Sequence, residues 1–397
     1  MGPPMKSPSQ GKKSSPTVEL ILKHFGTLED PRVERTRHHP LCNILVMALC
    51  GAIGGADGWE DLQLFAEAKA DFFATFLDMP YGTPCADTFR RVLSALHPVR
   101  FEACFRAWVS ALAEELGGQV VAIDGKAVRG ALEKAGRRTT PLHLLHAWAS
   151  EQNLLLGQQA VEGAPGEVQA MPALIRLLEL KGATVTTDAN GCTAEVAAAC
   201  VESGADYALA LKGNRGALHE HVQALFASTH PGAPPPPGTS FHSDVHEAHG
   251  RTETRHVWAM PLEHWPLKSE RWPGARTVVL VQRERAAGAQ ATATPTVERH
   301  FYLSSLTAEA TVLARTIRAH WGVENGLHWC LDVGFGEDRR RIRDREGAQN
   351  FALLARLALT LLKRETSLRR GIAGKRKQAG WVDAYLLRVL SAGFPQL

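Results

Sequence analysis

Apolar residues in the N-terminal part of the chain recur at helical intervals. Leu41, Ile44, Leu45 and Ala48 are three or four positions apart, so they share one face of a helix. Further apolar and aromatic residues repeat this spacing towards residue 113. The pattern predicts an all-helical N-terminal domain over residues 17–113, with the aromatic side chains in its core.

From about residue 118 the apolar positions form short runs, which is typical of buried strands. The runs predict strands at Gln119–Asp124, Leu142–Ala149, Asn153–Val161, Thr184–Asp188 and Tyr207–Lys212. Segments at about 168–180 and 193–203 have helical spacing and lie between the later strands. Strands and helices in this order indicate an α/β layer with a mixed sheet, within a domain that spans residues 118–364.

A second group of strands follows a proline-rich loop at 231–237. Alternating apolar and polar residues predict strands at Arg251–Met260, Arg276–Arg285 and Val297–Leu303, with 286–295 as a hairpin tip. These strands form a β-rich insertion at about 230–306. The remaining predicted elements are a helix that begins near Thr307, a second helix at about 345–364, and a basic tail at 365–397.

The composition is that of an ordinary globular protein with room for two or three domains. The chain has 397 residues, of which 45% are hydrophobic and 22% charged. Its seven cysteines include no Cys-x-x-Cys pair, which argues against a structural zinc site or a disulfide framework. Residues 1–16 are polar, predict a disordered tail and lack the apolar core of a signal peptide. No apolar run reaches the roughly eighteen residues of a membrane span, so we expect a cytoplasmic protein without a membrane partner.

Positive charge is clustered rather than abundant, since the formal net charge is only +4. One cluster lies at the start of the predicted helix at 345–364 and consists of Arg339, Arg340, Arg341, Arg343 and Arg345. A second cluster lies towards the C-terminus and consists of Lys363, Arg364, Arg369, Arg370, Lys375, Arg376 and Lys377. Such clusters are typical both of contacts with a polyanion and of a solvated helix face, and charge alone leaves both interpretations open.

Three acidic residues follow or interrupt apolar segments. Asp124 and Asp188 each end a predicted strand before a turn, where an Asp is often no more than a turn cap. Glu324 continues the apolar stripe of the helix that begins near Thr307, and a charge there is costly unless it is paired or binds a metal. Other acids compete with Glu324 for such a role, above all Asp332, then Glu337 and Asp338.

The types of these three residues indicate a chemistry. Carboxylates without His or Cys suit Mg²⁺ or Mn²⁺ rather than zinc. An Asp at the end of each of two strands and a Glu on a helix is a ligand set for two-metal phosphoryl transfer. The residues therefore favour a DNA-cutting enzyme as the leading hypothesis.

Longer motifs around the acids resemble those of a known family. The catalytic motifs are Ile123-Asp124-Gly125-Lys126, Thr187-Asp188-Ala189, Tyr207 to Asn214, and His320-Trp321-Gly322-Val323-Glu324-Asn325 with Leu327-His328-Trp329 and Leu331-Asp332-Val333. The N-terminal motifs are Asp30-Pro31-Arg32 and Gly82 to Val92. In these motifs the chain resembles, over nearly its whole length, the DDE transposases of bacterial insertion sequences, specifically the ISAs type, which includes the H-repeat-associated proteins.

The resemblance implies a ribonuclease-H-like catalytic core with a β-rich insertion, preceded by the helical domain. It assigns catalysis and metal binding to Asp124, Asp188 and Glu324, with two Mg²⁺ or Mn²⁺ ions in each active site. It also implies an enzyme that cleaves double-stranded DNA at insertion-sequence ends and transfers the 3′-hydroxyl to target DNA. A homodimer in the DNA complex and a nucleoid-associated bacterial protein are further implications.

The chain departs from the family pattern at two places. Relatives usually have Glu-Lys-Ser-Asn-Glu-Ile where this chain has Gly163-Ala164-Pro165-Gly166-Glu167-Val168. The Tyr, Arg and Lys that the wider superfamily often places around the catalytic Glu are here Ile317, His320 and Leu331. Two alternatives therefore stay open, namely a catalytically inactive DNA-binding protein derived from a transposase and a host nuclease with a ribonuclease-H-like core.

Basic residues in or beside the motifs are candidates for contacts with DNA phosphates, and they are Lys126, Arg129, Lys212, Arg251, Arg255, Arg318 and His320. Trp321 and Trp329 are expected in the core rather than stacked on a base. The helical domain is a candidate for recognising the DNA ends, since Arg32, Arg35 and Arg37 precede an apolar helix. Dimerisation or packing is the alternative role for this domain.

Overall fold

The computed structural model describes residues 23–113, 116–132, 141–248, 251–262, 271–287 and 296–392. The predicted disordered tail 1–16, most of the hairpin tip 286–295 and residues 393–397 lie outside these ranges. The chain divides into two compact units. The helical unit consists of Met1–Leu112, Val128–Leu142 and Trp329–Leu397, and the sheet unit consists of Ala113–Ala127 and His143–His328.

The helices of both units are α1 (Leu41–Gly54), α2 (Trp59–Ala68), α3 (Ala70–Ala74), α4 (Ala86–Ala95), α5 (Pro98–Leu112), α6 (Gly163–Arg176), α7 (Ala194–Glu202), α8 (Gly216–Leu225), α9 (Ala310–His320), α10 (Arg345–Arg364), α11 (Ile372–Trp381) and α12 (Asp383–Ser391). Helices α6 to α9 belong to the sheet unit and the others to the helical unit. The predicted helical character of the N-terminal segment is confirmed by α1 to α5.

Nine strands form one sheet: β1 (Val120–Leu132), β2 (Pro141–Ala149), β3 (Leu154–Val161), β4 (Thr184–Thr187), β5 (Asp206–Leu211), β6 (Ser240–Ala248), β7 (Arg251–Pro261), β8 (Thr277–Ala287) and β9 (Thr296–Ser304). Their order is β3-β2-β1-β4-β5-β9-β8-β7-β6. The predicted α/β class with a mixed sheet is thereby confirmed.

The centre of the sheet is parallel. β1 pairs with β4 from Val120↔Thr184 to Ile123↔Thr187, and β4 pairs with β5 in the same direction. Parallel neighbours need a crossover connection, which α7 supplies between β4 and β5. The apolar run from Val120 to Ile123 is entirely buried, as expected for a central parallel strand.

The first strand is longer than the sequence predicted. The prediction ended this strand at Asp124 with a turn at Gly125, whereas β1 continues to Leu132. The extension was hidden because the apolar run stops at Ile123 and resumes only with the isolated buried residues Val128 and Ala131. Asp124 therefore marks the end of the pairing with β4 and not the end of the strand.

The predicted insertion extends the same sheet, because β9 pairs antiparallel with β5. Its outermost strand, β6, was not predicted. The apolar residues of β6, Phe241 and Val245, are exposed, so this strand has no buried apolar alternation in its sequence. Helix α9 packs against the insertion through one buried cluster of Val257, Ala259, Val279, Val281, Ala310, Leu313 and Ile317. This packing fixes the helix that leads to Glu324.

Helix α10 is the core element of the helical unit. Apart from the polar position 349, its residues from Gly347 to Leu362 are buried, which is typical of a helix surrounded by others. The buried amide of Asn350 donates hydrogen bonds to the carbonyl oxygens of Leu93 at 2.8 Å and Leu96 at 2.9 Å. The C-terminal helices thus join α1 to α5 in one unit, a grouping that differs from the predicted bounds 17–113, 118–364 and 365–397.

Apolar length in the described helices is limited. No single one of them is long and apolar enough to cross a membrane, and α1 and α2 reach that length and composition only as a pair bent by 96°.

Three of the clustered basic residues are buried in the helical unit, namely Arg340, Lys375 and Arg376. Lys375 Nζ donates to the carbonyl oxygen of Leu362 at 2.7 Å, and Arg376 Nη2 donates to Asp57 Oδ1 at 3.0 Å. A buried cation that is bound within its own unit cannot reach a phosphate. For these three residues the interpretation as polyanion contacts is wrong.

An internal ion pair accounts for one of the acids that competed with Glu324. Glu337 and Arg356 are both fully buried, with Arg356 Nη1 2.6 Å from Glu337 Oε1 and Nη2 3.2 Å from Oε2. The next acid, Asp338, accepts a hydrogen bond from the backbone N–H of Arg129 at 3.3 Å. Glu337 is thus part of the core of the helical unit.

Glu337→Gln is expected to lower the free energy of unfolding by roughly 3 kcal/mol, because it leaves the buried Arg356 guanidinium without a counter-charge. Urea unfolding followed by circular dichroism measures the change. The matched control is Asp338→Asn, whose carboxylate is 31% exposed and pairs with the exposed Arg129. We expect the control to lose less than about 0.5 kcal/mol. Equal losses in the two variants would show that the buried pair adds no stability.

Candidate active site

The register between β1 and β4 brings two of the predicted acids together. The last pair of this ladder is Ile123↔Thr187, so Asp124 and Asp188 follow it side by side. Asp188 accepts hydrogen bonds from the backbone N–H groups of Asn190 at 3.1 Å and Gly191 at 3.3 Å. Asp188 therefore caps the turn after β4 and also stands next to Asp124.

Glu324 lies beyond the end of a helix and not within it. Helix α9 ends at His320, and Glu324 opens a π-helical turn that runs to His328. The sequence placed Glu324 on a continuous apolar stripe, which is wrong, because Glu324 is exposed and Trp321 is 49% exposed. The chain leaves the helix at His320, so the stripe that includes Leu313 does not continue to these positions.

Three ligand atoms meet at this place. A carboxylate oxygen of Asp124, one of Glu324 and a ring nitrogen of His328 all lie within 4.8 Å of one another. His328 Nδ1 is 3.6 Å from Asp124 Oδ2, and the His328 side chain is buried. Sequence reasoning considered His328 within the family motif and as a residue that could stack on an extruded base, but not as a metal ligand. Its position four residues after Glu324 was the one available indication.

The carboxylates repel one another in a partly buried site. Burial, followed by the charges of Asp188 and Glu324, raises the pKa of Asp124 to about 7. The side chain of Asp124 is 19% exposed, so water screens it only in part. A divalent cation would relieve this repulsion, because its charge favours the ionised form of each acid.

The groups around Asp188 shift its pKa in opposite directions. Burial and the charge of Glu167 raise its pKa, whereas the N–H groups of Gly191 and Asn190 and the charge of Lys212 lower it. The raising causes prevail. Lys212, one of the predicted DNA contacts, is exposed just after β5 and is close enough to act on Asp188.

A fourth carboxylate belongs to the site, and sequence reasoning missed it. Glu167 is buried on α6, pairs with His143, and adds to the charge that raises the pKa of Asp124. A Cβ atom at Gly125 would overlap the Glu167 carboxylate, so a larger residue there would displace this side chain from its position over the strand. Glu167 lies in the segment 163–168, which departs from the family pattern. It occupies the position of the second Glu in that pattern, and the acid is kept there.

His320, one of the predicted DNA contacts, lies at the end of α9 as an uncharged imidazole. Burial lowers the pKa of its imidazole to about 4, so the ring is neutral near pH 7. Its Nδ1 is 3.0 Å from Thr186 Oγ1, which connects the end of α9 to β4. The structure thus shows His320 as a residue that positions the helix end.

The remaining predicted DNA contacts lie in different places. Lys126 is buried on β1, and the exposed Arg129 belongs to the helical unit, where it pairs with Asp338. The side chain of Arg251 lies outside the described residues. Arg255 pairs with Glu253, and Arg318 Nη1 is 3.4 Å from Asp244 Oδ2.

A cavity of about 420 Å³ adjoins the turn that carries Glu324, and its lining includes Arg255, Arg285, Arg318, Trp321 and Asn325. Trp321 and Trp329 are 49% and 58% exposed, so the prediction that both are core residues is wrong. Both follow the end of α9, where the helical stripe no longer applies. The cavity therefore combines guanidinium groups with one accessible indole.

The chain is similar in sequence to known proteins over most of its length. The family model described as "Transposase DDE domain" matches residues 115–361, and the one described as "DDE_Tnp_1-associated" matches residues 22–109. "Putative transposase YncI" of Escherichia coli O157:H7 is 32% identical over 383 residues, which cover 95% of this chain and 95% of that protein. "H repeat-associated putative transposase YhhI" of Escherichia coli (strain K12) is 32% identical over 376 residues, which cover 94% of this chain and 98% of that protein. Among solved structures, the piggyBac transposase synaptic complex with hairpin DNA aligns with a TM-score of 0.38 and 11% identity, over 96% of this chain and 83% of that one.

Asp124→Asn is expected to stabilise the protein in the presence of a chelator. An acid whose folded pKa is raised from 3.8 to about 7 loses folding free energy as the pH rises through that interval. Above pH 7.5 the substitution should therefore add stability on the order of 4 kcal/mol, with no gain below about pH 4. Thermal unfolding of both proteins across this pH range in EDTA measures the difference. A destabilised variant at pH 8 would contradict the charge repulsion.

Proposed function

This chain belongs to the DDE transposase family, and we propose that it cleaves double-stranded DNA at the ends of an insertion sequence and joins the freed 3′-hydroxyl to target DNA. The resemblance to the H-repeat-associated proteins is confirmed by the curated relatives. The observation that carries the proposal is the grouping of the three acids. Asp124 and Asp188 follow the last pair of the ladder between β1 and β4, and carboxylate oxygens of Asp124 and Glu324 lie within 4.8 Å of each other.

We assign the part of the sheet formed by β1 to β5 to a ribonuclease-H-like core. The order β3-β2-β1-β4-β5, with β1, β4 and β5 parallel, supports this assignment. Strands β6 to β9 then form the insertion that separates Asp188 from Glu324 along the sequence. Helix α9 returns the chain from the insertion to the acids.

The acids fit a pair of Mg²⁺ or Mn²⁺ ions. Asp124 follows the strand pairing beside Asp188, and its carboxylate groups with that of Glu324, so these three acids would hold the ions. Two such ions would lower the pKa of an attacking water and stabilise the leaving 3′ oxygen. Hard oxygen ligands at these positions suit both metals.

Neighbouring groups of the protein would hold the acids in fixed orientations. The N–H groups of Asn190 and Gly191 direct Asp188, and the contact between His320 and Thr186 holds the end of α9 against β4. Glu167 adds negative charge behind the strand, which increases the attraction of the site for cations. Such fixed groups act without rearrangement during the reaction.

We assign DNA phosphates to the cavity beside Glu324. Arg255, Arg285 and Arg318 line it, and guanidinium groups bind phosphate oxygens in bidentate geometry. Lys212, exposed next to Asp188, would extend this positive surface along the carboxyl edge of the sheet. Double-stranded DNA is thus the proposed partner, with a homodimer as the assembly that holds two ends.

Glu324→Gln is expected to reduce cleavage of labelled terminal-repeat DNA in Mg²⁺ to below roughly a thousandth of the wild-type rate, because a metal ligand is lost. DNA affinity, measured by fluorescence anisotropy, should change little. Glu309→Gln is the matched control, since Glu309 is an exposed acid just before α9. Cleavage by Glu324→Gln at the wild-type rate would refute the assignment. A wild-type protein that binds the DNA without cutting it would favour the inactive DNA-binding alternative.

Arg318→Gln is expected to weaken DNA binding and to reduce the slope of log K against log salt by about 1, because one phosphate contact is removed. Anisotropy titrations between low and moderate salt give both values. The control is Arg176→Gln, since Arg176 is exposed to a similar extent (47% against 42%) but pairs with Glu202 on the helices of the sheet unit. An unchanged slope for Arg318→Gln would place the phosphates elsewhere.

A further inference from the structure

His328 lies one wide turn after Glu324. The segment Glu324–His328 is π-helical, a rare geometry that is frequent at functional sites, and a second π-helical segment follows at Cys330–Gly334. Residues four apart in such a turn lie on nearly the same face. The turn therefore presents the Glu324 carboxylate and the His328 imidazole to the same space, which Asp124 borders.

The distance between His328 and Asp124 fits a shared ion better than a direct bond. A charge-assisted hydrogen bond between imidazolium and carboxylate is about 2.7–2.9 Å long, whereas Nδ1 and Oδ2 are 3.6 Å apart. Two ligand atoms that are each about 2.1 Å from one ion lie about 3.0–4.2 Å from each other, depending on the angle. The observed distance falls within that interval.

The imidazole is held in place by the sheet. Its ring meets the buried ring of His146 edge-on, with centroids 5.5 Å apart and an interplanar angle of 60°. The turn itself packs closely on β2, because a Cβ atom at Gly326 would come within 3.1 Å of the Trp148 ring. Nε2 is buried, and Nδ1 is the ring atom that faces Asp124. A ring fixed in this way is preorganised as a ligand.

We propose that His328 Nδ1 is a ligand of the divalent ion held by Asp124 and Glu324, and that this nitrogen makes the site favour Mn²⁺ over Mg²⁺. The inference rests on the proposed function for the presence of an ion at these acids. Mg²⁺ is bound through oxygen ligands and water, whereas imidazole is a better ligand for transition metals. The three residues thus form a mixed carboxylate–imidazole site.

Pulsed electron paramagnetic resonance of the full-length protein with one equivalent of Mn²⁺ tests the proposal. We expect modulation from a coordinated ¹⁴N nucleus in the wild-type protein and its loss in His328→Gln. Isothermal titration calorimetry should show Mn²⁺ affinity reduced at least about tenfold in His328→Gln, with a smaller reduction for Mg²⁺. His221→Gln is the control, because His221 is an exposed histidine on α8 and lies outside the group of ligand atoms.

The possible outcomes separate this inference from the proposed function. If Mn²⁺ binds to wild type but not to Asp124→Asn, and no nitrogen modulation appears, His328 is not a ligand and the acid site stands. Modulation that persists in His328→Gln overturns the inference in the same way. If Mn²⁺ binds equally to wild type and Asp124→Asn, the metal site of the proposed function fails as well. Should His328→Gln not fold, absence of modulation in the wild-type protein still overturns the inference.

Discussion

The parallel pairing of β1 with β4 is the constraint on which the candidate site depends. Because the ladder ends at Ile123↔Thr187, Asp124 and Asp188 must stand next to each other at the same edge of the sheet. Their proximity, together with burial, is what raises the pKa of Asp124 to about 7. A chain that folds this way holds like charges together, and the folding of the buried strands around them has to offset the repulsion. Such an arrangement is typical of a site that binds cations.

The insertion and helix α9 complete the site from the other side. Strand β9 continues the sheet from β5, and the buried cluster around Leu313 holds α9 on β7 and β8. The helix then ends at His320, whose neutral ring contacts Thr186 on β4. The π-helical turn that follows presents Glu324 and His328 to Asp124, while the arginine-lined cavity lies on the insertion side of the same turn. The arginines of this cavity are partly paired with acids of the insertion, Arg255 and Arg285 with Glu253 and Arg318 with Asp244.

The helical unit shows why charge clusters in a sequence are ambiguous. Arg340, Lys375 and Arg376 stand among exposed basic residues in the sequence, yet they are buried and bound to carbonyl oxygens or to Asp57. Glu337 likewise forms an ion pair with Arg356 in the core. A buried charge needs its partner from a distant part of the chain, so its role follows from packing and not from its neighbours in sequence.

The sequence by itself predicted most of the local structure and singled out Asp124, Asp188 and Glu324 as candidates for the site. The apolar runs predicted β2 to β5 and β7 to β9 to within a few residues, because burial on one or both faces leaves a period in the sequence. The same signal failed for β6, whose apolar residues Phe241 and Val245 face outwards, and for the extension of β1 past Asp124. Only the tertiary structure brought Glu167 and His328 to the acids. Glu167 reaches them because α6 packs its carboxylate over Gly125, a contact between segments far apart in the chain that no local pattern records. His328 is four residues after Glu324 in the sequence, but the π geometry of the turn and the strand that carries Asp124 decide that both side chains meet there.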